Sequence, residues 1–520
     1  MSESHPDIVL CTLNARYIHA SLGLRYLLAN MGDLASRTVL REFTIHRPPQ
    51  ELADELLALQ PRIIGLGVYI WNVTETTALV RLLKEARPDV KIVLGGPEVS
   101  HEWESQEIVQ RADYLITGWG DVSFPALCQS LLHGPRPLMK VIAGVQPDLA
   151  DIALPYDHYT AADLAHRLLY VEASRGCPFS CEFCLSSLDT TARAFPLDVF
   201  LAALDRLYRR GARNFKFVDR TFNLKVDASV RVLQFFLERL TPDLFLHFEV
   251  IPDHLPARLK ELLVQFPPGV LQLEVGIQTF DVEVQQRISR RQDNDKTVAN
   301  LAWLVQHTHA HLHTDLIFGL PGERLQGFAD GFDRLHALRP HEIQLGLLKR
   351  LRGTPIARHT QAWDMQYAAE PPYTVLQTGA VDAATVQRFT RLARYWDLVA
   401  NSGRFAATLE MLLQESSAFA AFLAWSDWLW QTTGKTHGLT PEDLVDALFT
   451  YLTTERKQSH DAVRSPLLAD YVASGARAMP HCLREVLPHR PALPRPRVRA
   501  QRQDRHALPT VDTIPLVITA

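Results

Sequence analysis

Short apolar runs alternate with amphipathic stretches over about the first 145 residues of the chain. The apolar runs have the length of buried strands, and the stretches between them show apolar residues at helical spacing. The strand candidates are residues 8–13, 38–46, 62–70, 91–96 and 112–120. Five strands that alternate with helices predict a parallel, doubly wound α/β sheet, in which ligands bind beyond the carboxyl ends of the strands.

A second series of strand and helix candidates follows an irregular segment at residues 146–160. Each strand candidate is again followed by a helical stretch. The strand candidates are residues 168–174, 214–219, 246–251, 271–279, 313–321 and 342–349. Six such units predict a barrel or partial barrel, with its catalytic residues at the carboxyl ends of the strands.

The alternation stops near residue 360, and long helical patterns take over at residues 384–403, 418–434 and 440–456. In the last of these, Thr440 has the position of an N-cap and Pro441 that of the first helical residue. We therefore predict three domains, at residues 1–150, 160–358 and 359–520, the third mainly helical.

Composition adds little to this picture. The formal net charge of −4 and the 47% of hydrophobic residues are ordinary for a globular protein. The N-terminus has no basic segment followed by an apolar core, and no apolar run is long enough to span a bilayer, so a cytoplasmic protein without a membrane partner is expected. The Arg-rich stretch at residues 495–505 raises nucleic acid as a partner, but it lacks interleaved aromatic residues, which favours a solvated segment or a contact between domains.

The cysteines carry the strongest chemical signal. Cys177, Cys181 and Cys184 have the spacing C-x3-C-x2-C directly after the first strand of the second series, whereas the other three cysteines are isolated. A [4Fe–4S] cluster normally takes four thiolates, so three close cysteines leave one iron open for a small molecule. The alternatives are three unrelated thiols or a zinc site, and zinc needs a fourth ligand that does not follow nearby.

The sequence around these cysteines, RGCPFSCEFC at residues 175–184, resembles the loop of the radical S-adenosylmethionine (SAM) superfamily. The resemblance implies that the amino and carboxylate groups of SAM chelate the open iron. It also implies that one-electron reduction cleaves SAM to a 5′-deoxyadenosyl radical, with an external donor of the flavodoxin or ferredoxin type.

Several strand ends extend the resemblance over about 200 residues. Residues 217–223 stand where the superfamily contacts the amino group of SAM, and residues 315–323 resemble its segment near the adenine. Taken singly, each side chain also fits an ordinary loop or core residue. The implied SAM-binding residues are Phe183, which would pack by the adenine, Asp219, Glu249, Glu274, Gln278, Asp315 and Gly319.

A flavodoxin-like domain before such a barrel resembles the cobalamin-binding subclass of the superfamily. The cofactor tail would lie against the backbone of glycines at the strand ends. The implied groove residues are Val68, Asn72, Gly95, Gly96, Gly118 and Gly120.

The usual cobalt-binding motif, Asp-x-His-x-x-Gly, is incomplete in this chain. His19 has no aspartate two residues before it, and the following glycine, Gly23, is one residue too far. His19 is therefore either a cobalt ligand or a polar residue that flanks the first helix. Loss of a strong ligand would favour cob(I)alamin as a methyl acceptor.

Residues 14–27, residues 349–355 (KRLRGTP) and the helical C-terminal part are similar to cobalamin-binding radical SAM proteins with a C-terminal DUF4080 domain. The resemblance implies methyl transfer to an unactivated carbon or phosphorus centre. A radical cyclase or rearrangement enzyme without methyl transfer, and a cobalamin carrier or sensor, remain alternatives. Methylthiolation would require three cluster cysteines in the first domain, and only Cys11 and Cys128 precede the motif.

Overall fold

The computed structural model describes residues 5–476, 478–487 and 506. The first region contains six strands, β1 Ile8–Asn14, β2 Thr38–Thr44, β3 Ile63–Gly67, β4 Lys91–Gly95, β5 Tyr114–Thr117 and β6 Val141–Ala143. Five helices connect them, α1 Leu22–Ala29, α2 Pro49–Ala58, α3 Val73–Ala86, α4 Glu107–Arg111 and α5 Ser123–His133.

The first sheet is parallel throughout and has the strand order β2-β1-β3-β4-β5-β6. Strand order reverses at β1, which pairs with β2 on one side and β3 on the other. This is the doubly wound, flavodoxin-like topology, and it confirms the predicted fold class. The short strand β6 adds a sixth member that the apolar pattern did not predict.

The second region begins with helix α6 Ala161–His166. Its strands are β7 Leu169–Val171, β8 Ser174–Arg175, β9 Arg193–Ala194, β10 Asn214–Phe217, β11 Phe245–Val250, β12 Leu271–Gln278, β13 His311–Phe318 and β14 Glu342–Leu347. Its further helices are α7 Leu197–Arg209, α8 Val226–Leu237, α9 Ala257–Leu263, α10 Val282–Arg287, α11 Asn294–His307 and α12 Leu325–His336.

Six of these strands form a parallel sheet in the order β7-β10-β11-β12-β13-β14, which is the predicted partial barrel. The pattern along β12 shows how the sheet is placed. Leu273, Val275 and Ile277 are buried, and Glu274 and Gln278 alternate with them as partly exposed residues. Because successive side chains point to opposite faces, the apolar face packs against helices and the polar face turns to the barrel interior.

The third region is mainly helical, as predicted. It contains a small hairpin, β15 Gln366–Tyr367 and β16 Val375–Gln377, followed by α13 Ala383–Val399, α14 Ala406–Leu412, α15 Ala418–Thr433, α16 Pro441–Thr454 and α17 His460–Ala473.

The helical region shares one core with the barrel. The rings of Phe318 on β13 and Phe389 on α13 stack with centroids 4.2 Å apart. The predicted start of α16 is confirmed, because Thr440 and Asp443 cap each other's backbone N–H groups. Among the described residues, no helix is both long and apolar enough to cross a membrane. The Arg-rich stretch at residues 495–505 lies outside the described residues.

Candidate functional site

The three clustered cysteines lie on a loop that leaves the barrel after β8. Backbone hydrogen bonds shape this loop: Cys177 N–H donates to Asp189 O at 2.8 Å, and Cys184 N–H donates to Cys181 O at 3.1 Å. The Ser187 hydroxyl bonds to the carbonyl oxygens of Cys181 and Cys184 at 2.9 and 2.6 Å. All three cysteines line one cavity of about 260 Å³, called here the cysteine cavity.

Carboxyl ends of the barrel strands form the rest of the cysteine cavity. Because parallel strands end at the same edge, side chains that are far apart in sequence meet there. Five residues that the resemblance implied line this cavity together with the cysteines: Phe183, Glu249, Glu274, Gln278 and Asp315. Their predicted contacts with SAM stay predictions.

Three arginines that the sequence analysis did not single out also line the cysteine cavity: Arg220, Arg290 and Arg291. Arg220 pairs with Glu249 through contacts of 2.6 and 2.8 Å. Arg290 Nη1 lies 3.6 Å from Sγ of Cys181, and Arg290 Nη2 donates to Gly276 O. The sequence offers no signal for Arg290, which stands in an irregular loop after α10.

The charge of these groups suits a negatively charged sulfur site. Burial raises the pKa of the Cys177 and Cys181 thiols, and the neighbouring Arg290 opposes that rise at Cys181. Arg290 thus favours the thiolate form, which is the form that binds a metal.

Glu274 is held ionised at the floor of the cysteine cavity. Its Oε2 lies 2.8 Å from His247 Nε2 and 3.2 Å from Lys216 Nζ. Burial acts to raise the pKa of Glu274, but His247 and Lys216 bring it well below its ordinary value. The cavity wall therefore contains an ionised carboxylate that is paired with Lys216.

The donor set fits an iron–sulfur cluster better than a single metal ion. Within the described ranges, no group of three His, Cys, Asp or Glu side chains could hold one ion, as a zinc site requires. Three thiols around one cavity can instead each bind a separate iron of a cluster. One position is then left for a small molecule in the same cavity.

Asp219 and Gly319 are not among the residues that line the cysteine cavity. The Asp219 carboxylate accepts hydrogen bonds from Ala173 N–H at 2.9 Å and the Ser174 hydroxyl at 2.5 Å. Burial raises the pKa of Asp219 to about 7. Gly319 faces Val375, and a Cβ there would lie 2.6 Å from its Cγ1. Their implied contacts with SAM stay predictions.

A second cavity, of about 340 Å³, lies in the first domain between the sheet and helices α1 and α5. We call it the glycine groove, because its walls include Gly23, Gly65, Gly67, Gly95, Gly96, Gly118 and Gly120. A Cβ at Gly65 would lie 2.7 Å from the ring of Phe124, and one at Gly120 would lie 3.2 Å from Leu27 Cδ2. Side chains at these positions would fill the groove, so its shape fits a long ligand that lies against backbone.

Four of the predicted cobalamin contacts line the glycine groove: Gly95, Gly96, Gly118 and Gly120. Val68 and Asn72 are buried beside it. The Val68 N–H donates to Gly95 O at 2.8 Å, and the Asn72 amide donates to Leu13 O at 3.0 Å. Through these hydrogen bonds, Val68 supports the end of β4 and Asn72 supports the end of β1.

His19 is not among the residues that line the glycine groove. Its Nδ1 is 2.7 Å from the hydroxyl of Tyr170 on β7, so it contacts the barrel. Burial lowers the pKa of His19, and Lys216 and Arg16 lower it further, which keeps the imidazole neutral. Its role as a cobalt ligand stays a prediction.

A third cavity, of about 460 Å³, separates the first domain from the barrel and is called the interdomain cavity. It shares Arg220 with the cysteine cavity. It shares five residues with the glycine groove: Gly96, Gly118, Trp119, Glu172 and Arg175. The interdomain cavity therefore borders both other sites.

Arg175, directly before Gly176 and Cys177, is a partly buried residue that lines both the glycine groove and the interdomain cavity. It pairs with Asp121 at 2.9 Å and with Glu172 at 2.7 Å. Its guanidinium lies 4.4 Å from the ring centroid of Tyr26 and 4.8 Å from that of Trp119. One side chain thus ties the cysteine loop to the first domain.

Three family models match the chain in succession. The B12 binding domain matches residues 8–128, the radical SAM superfamily matches residues 171–335, and a protein family of unknown function, DUF4080, matches residues 361–514. The cofactors that go with the first two domains are cobalamin, a [4Fe–4S] cluster and SAM, as predicted.

Known proteins agree with this architecture at low sequence identity. The chain is 25% identical over 340 residues to the cobalamin-dependent radical SAM methyltransferase TokK of Streptomyces tokunonensis, covering 58% of this chain and 49% of TokK. It is 24% identical over 296 residues to a tRNA-2-methylthio-N(6)-dimethylallyladenosine synthase of Psychrobacter cryohalolentis, covering 53% of this chain and 58% of the synthase. The chain thus spans about half the length of the curated relatives that it matches.

The fold is shared with the cobalamin-dependent SAM radical enzyme OxsB, solved with aqua-cobalamin and SAM bound. The TM-score is 0.58 at 13% identity, over 90% of this chain and 84% of OxsB. At this identity the likeness shows the fold alone. The order of the three domain matches decides the classification: the chain is a radical SAM protein with an N-terminal B12-binding domain and a C-terminal DUF4080 domain.

Proposed function

We propose that the chain is a cobalamin-dependent radical SAM enzyme that methylates a poorly activated carbon or phosphorus centre. Similarity to TokK supports methyl transfer as the reaction class. A one-electron donor of the flavodoxin or ferredoxin type would reduce the cluster, in the cytoplasm. The substrate would bind in the interdomain cavity.

The arrangement of the three cavities carries this proposal. The interdomain cavity shares walls with the cysteine cavity on one side and with the glycine groove on the other. A methyltransferase of this kind needs one substrate atom within reach of both cofactors, and sites commonly form at such domain interfaces. A carrier or sensor of cobalamin would need the glycine groove alone.

The bound cofactors would supply a hydrogen-abstracting 5′-deoxyadenosyl radical and a transferable methyl group. The chain's own side chains would position these groups and exclude water. Cys177, Cys181 and Cys184 would hold the cluster, and Arg290 would favour the thiolate charge of Cys181. Glu274 would present its fixed carboxylate to the positive charges of SAM.

The test is anaerobic reconstitution with iron, sulfide and cobalamin, followed by reduction in the presence of SAM that carries a deuterated methyl group. We expect 5′-deoxyadenosine in solution and the label on the protein-bound cobalamin, both without any added substrate. Matched incubations with S-adenosylhomocysteine control for chemical background. 5′-Deoxyadenosine without label on cobalamin would favour a cyclase or rearrangement enzyme, and cobalamin binding without SAM cleavage would favour a carrier.

A further inference from the structure

Residues 350–359 follow the last barrel strand and contain most of the KRLRGTP segment, whose contacts the proposed function does not explain. This stretch contacts two loops that belong to different domains. One is the loop after β4 in the first domain, and the other is the cysteine loop. We call residues 350–359 the strut.

The first half of the strut holds the loop after β4, which begins with Gly96 of the glycine groove. Arg350 pairs with Glu102 through contacts of 3.1 and 3.2 Å. Arg352 Nε donates to Glu98 Oε1 at 2.9 Å, and the side chain of Glu98 is only 3% exposed. The charge of the buried Glu98 would be costly to leave without Arg352, so this pair helps to fix the position of the loop.

Gly353 lets the strut approach the same loop closely. Its φ is +78°, and a Cβ at this position would lie 2.3 Å from Cγ of His101. The Gly353 N–H also donates to Glu102 Oε1 at 3.2 Å. His101 lines the interdomain cavity, so this contact sets one of its walls.

The second half of the strut holds the cysteine loop through Glu182, the residue after Cys181. The Ile356 N–H donates to Glu182 O at 3.0 Å, and His359 Nε2 lies 2.8 Å from Glu182 Oε2. Arg358 donates to both oxygens of the same carboxylate. The side chain of Glu182 is 3% exposed, so the cysteine loop is anchored from within.

A short length of chain, which includes a 3₁₀ turn at Pro355–His359, joins these two sets of contacts. The five Cα-to-Cα steps from Gly353 to Arg358 span at most about 18 Å. Resting on the proposed function, we propose that residues 350–359 are a strut that sets the distance between the cluster and cobalamin. Its residues are positioning residues, because none of them lines the cysteine cavity or the glycine groove.

The test measures that distance directly, without a substrate. Full-length protein is loaded with cluster and cobalamin and reduced so that [4Fe–4S]⁺ and cob(II)alamin are both paramagnetic, and pulsed electron paramagnetic resonance records their dipolar coupling. The variants are Arg352→Leu and Gly353→Ala. The control is Arg47→Leu, which breaks an exposed pair with Glu55 in the first domain.

We expect wild type and Arg47→Leu to show one narrow distance. Both strut variants should keep their iron, sulfide and cobalamin content but lose that narrow distance. Variants with the wild-type distance would overturn the strut and leave the proposed function standing. Variants that lose the cluster or cobalamin would also overturn the strut. Residues 350–359 would then be needed to bind a cofactor and not to set the distance between the two cofactors. Wild-type protein that holds both cofactors without coupling would overturn the proposed function, and the strut with it.

Discussion

The cysteine cavity and the glycine groove lie on either side of the interdomain cavity, yet they are built from different materials. Charged side chains such as Arg220, Glu249 and Glu274 line the cysteine cavity. Backbone and apolar side chains form most of the glycine groove. The difference suits the proposed ligands: SAM and a cluster would bring charge to the cysteine cavity, whereas the long tail of cobalamin would lie against the backbone of the glycine groove.

The two cavities should therefore be sensitive to different kinds of substitution. Loss of a charge should affect the cysteine cavity, because charges in a partly buried site interact strongly. Added volume should affect the glycine groove, because close-packed walls cannot move aside cheaply. Substitutions in the two cavities can test this division.

Removing a cluster ligand should abolish cluster binding and leave cobalamin binding unchanged. In Cys177→Ala we expect loss of bound iron and sulfide and of all 5′-deoxyadenosine formation, while cobalamin binding stays. Iron and sulfide analysis measures the loss of the cluster, and the corrin absorption spectrum measures the bound cobalamin. Cys128→Ala is the control, since Cys128 is a buried thiol of the first-domain core. Loss of cobalamin from Cys177→Ala would show that the two sites do not form independently.

The buried carboxyl of Asp219 should make stability depend on pH on the barrel side. Its folded pKa of about 7 lies above the unfolded value of about 3.9. The folded state therefore holds the proton more tightly, and the free energy of unfolding falls as pH rises from about 4 to 7, by at most about 4 kcal/mol.

Thermal unfolding of Asp219→Asn across this pH range checks the sign. The variant should not show this fall in the free energy of unfolding. Its stability relative to wild type should therefore increase as pH rises. The exposed Asp227 offers the control variant Asp227→Asn, which should follow wild type. Parallel pH profiles for wild type and Asp219→Asn would contradict the assignment.

Added volume at Gly95 should weaken cobalamin binding. A Cβ there would meet only Ile116 O, at 3.7 Å, so Gly95→Val is tolerated by the backbone but takes up groove space. Overpacking of about 1–3 kcal/mol corresponds to roughly a 5- to 150-fold weaker affinity. Spectroscopic titration with cobalamin measures it.

Gly134→Val is the matched control for this substitution. Its Cβ would also lie 3.7 Å from the nearest atom, Ser130 Cα, and Gly134 is not a lining residue of the glycine groove. Equal affinities for Gly95→Val and Gly134→Val would mean that the groove does not hold the cofactor.

The charge of Arg290 should tune the cluster. A cation 3.6 Å from Sγ of Cys181 stabilises the more negative, reduced cluster. We expect Arg290→Met to lower the midpoint potential on the order of 50 mV, as for a lost charged hydrogen bond. Arg291→Met, in the same cavity wall, is the control in a redox titration. An unchanged potential would show that Arg290 does not contact the cluster.

Much of the molecule was predictable because its signals are local. Apolar runs of strand length and helical spacing predicted both parallel sheets and the helical third region. The spacing of the three cysteines predicted the cluster loop. Glu249 stands near the end of β11, and Glu274 and Asp315 stand within the neighbouring strands β12 and β13. Polar residues on adjacent parallel strands can share one face of the sheet, so their common cavity was also foreseeable.

Only the tertiary structure decided which charges meet. Arg290 contacts Cys181 across 109 positions of sequence, and Arg352 contacts Glu98 across 254. The tertiary structure likewise placed the Asp219 carboxylate next to the backbone of Ala173, and His19 next to the hydroxyl of Tyr170. Sequence patterns record whether a residue faces a core or a strand end, because that follows from local periodicity. The partner of a long, flexible charged side chain depends on how distant loops pack, and no local pattern contains that information.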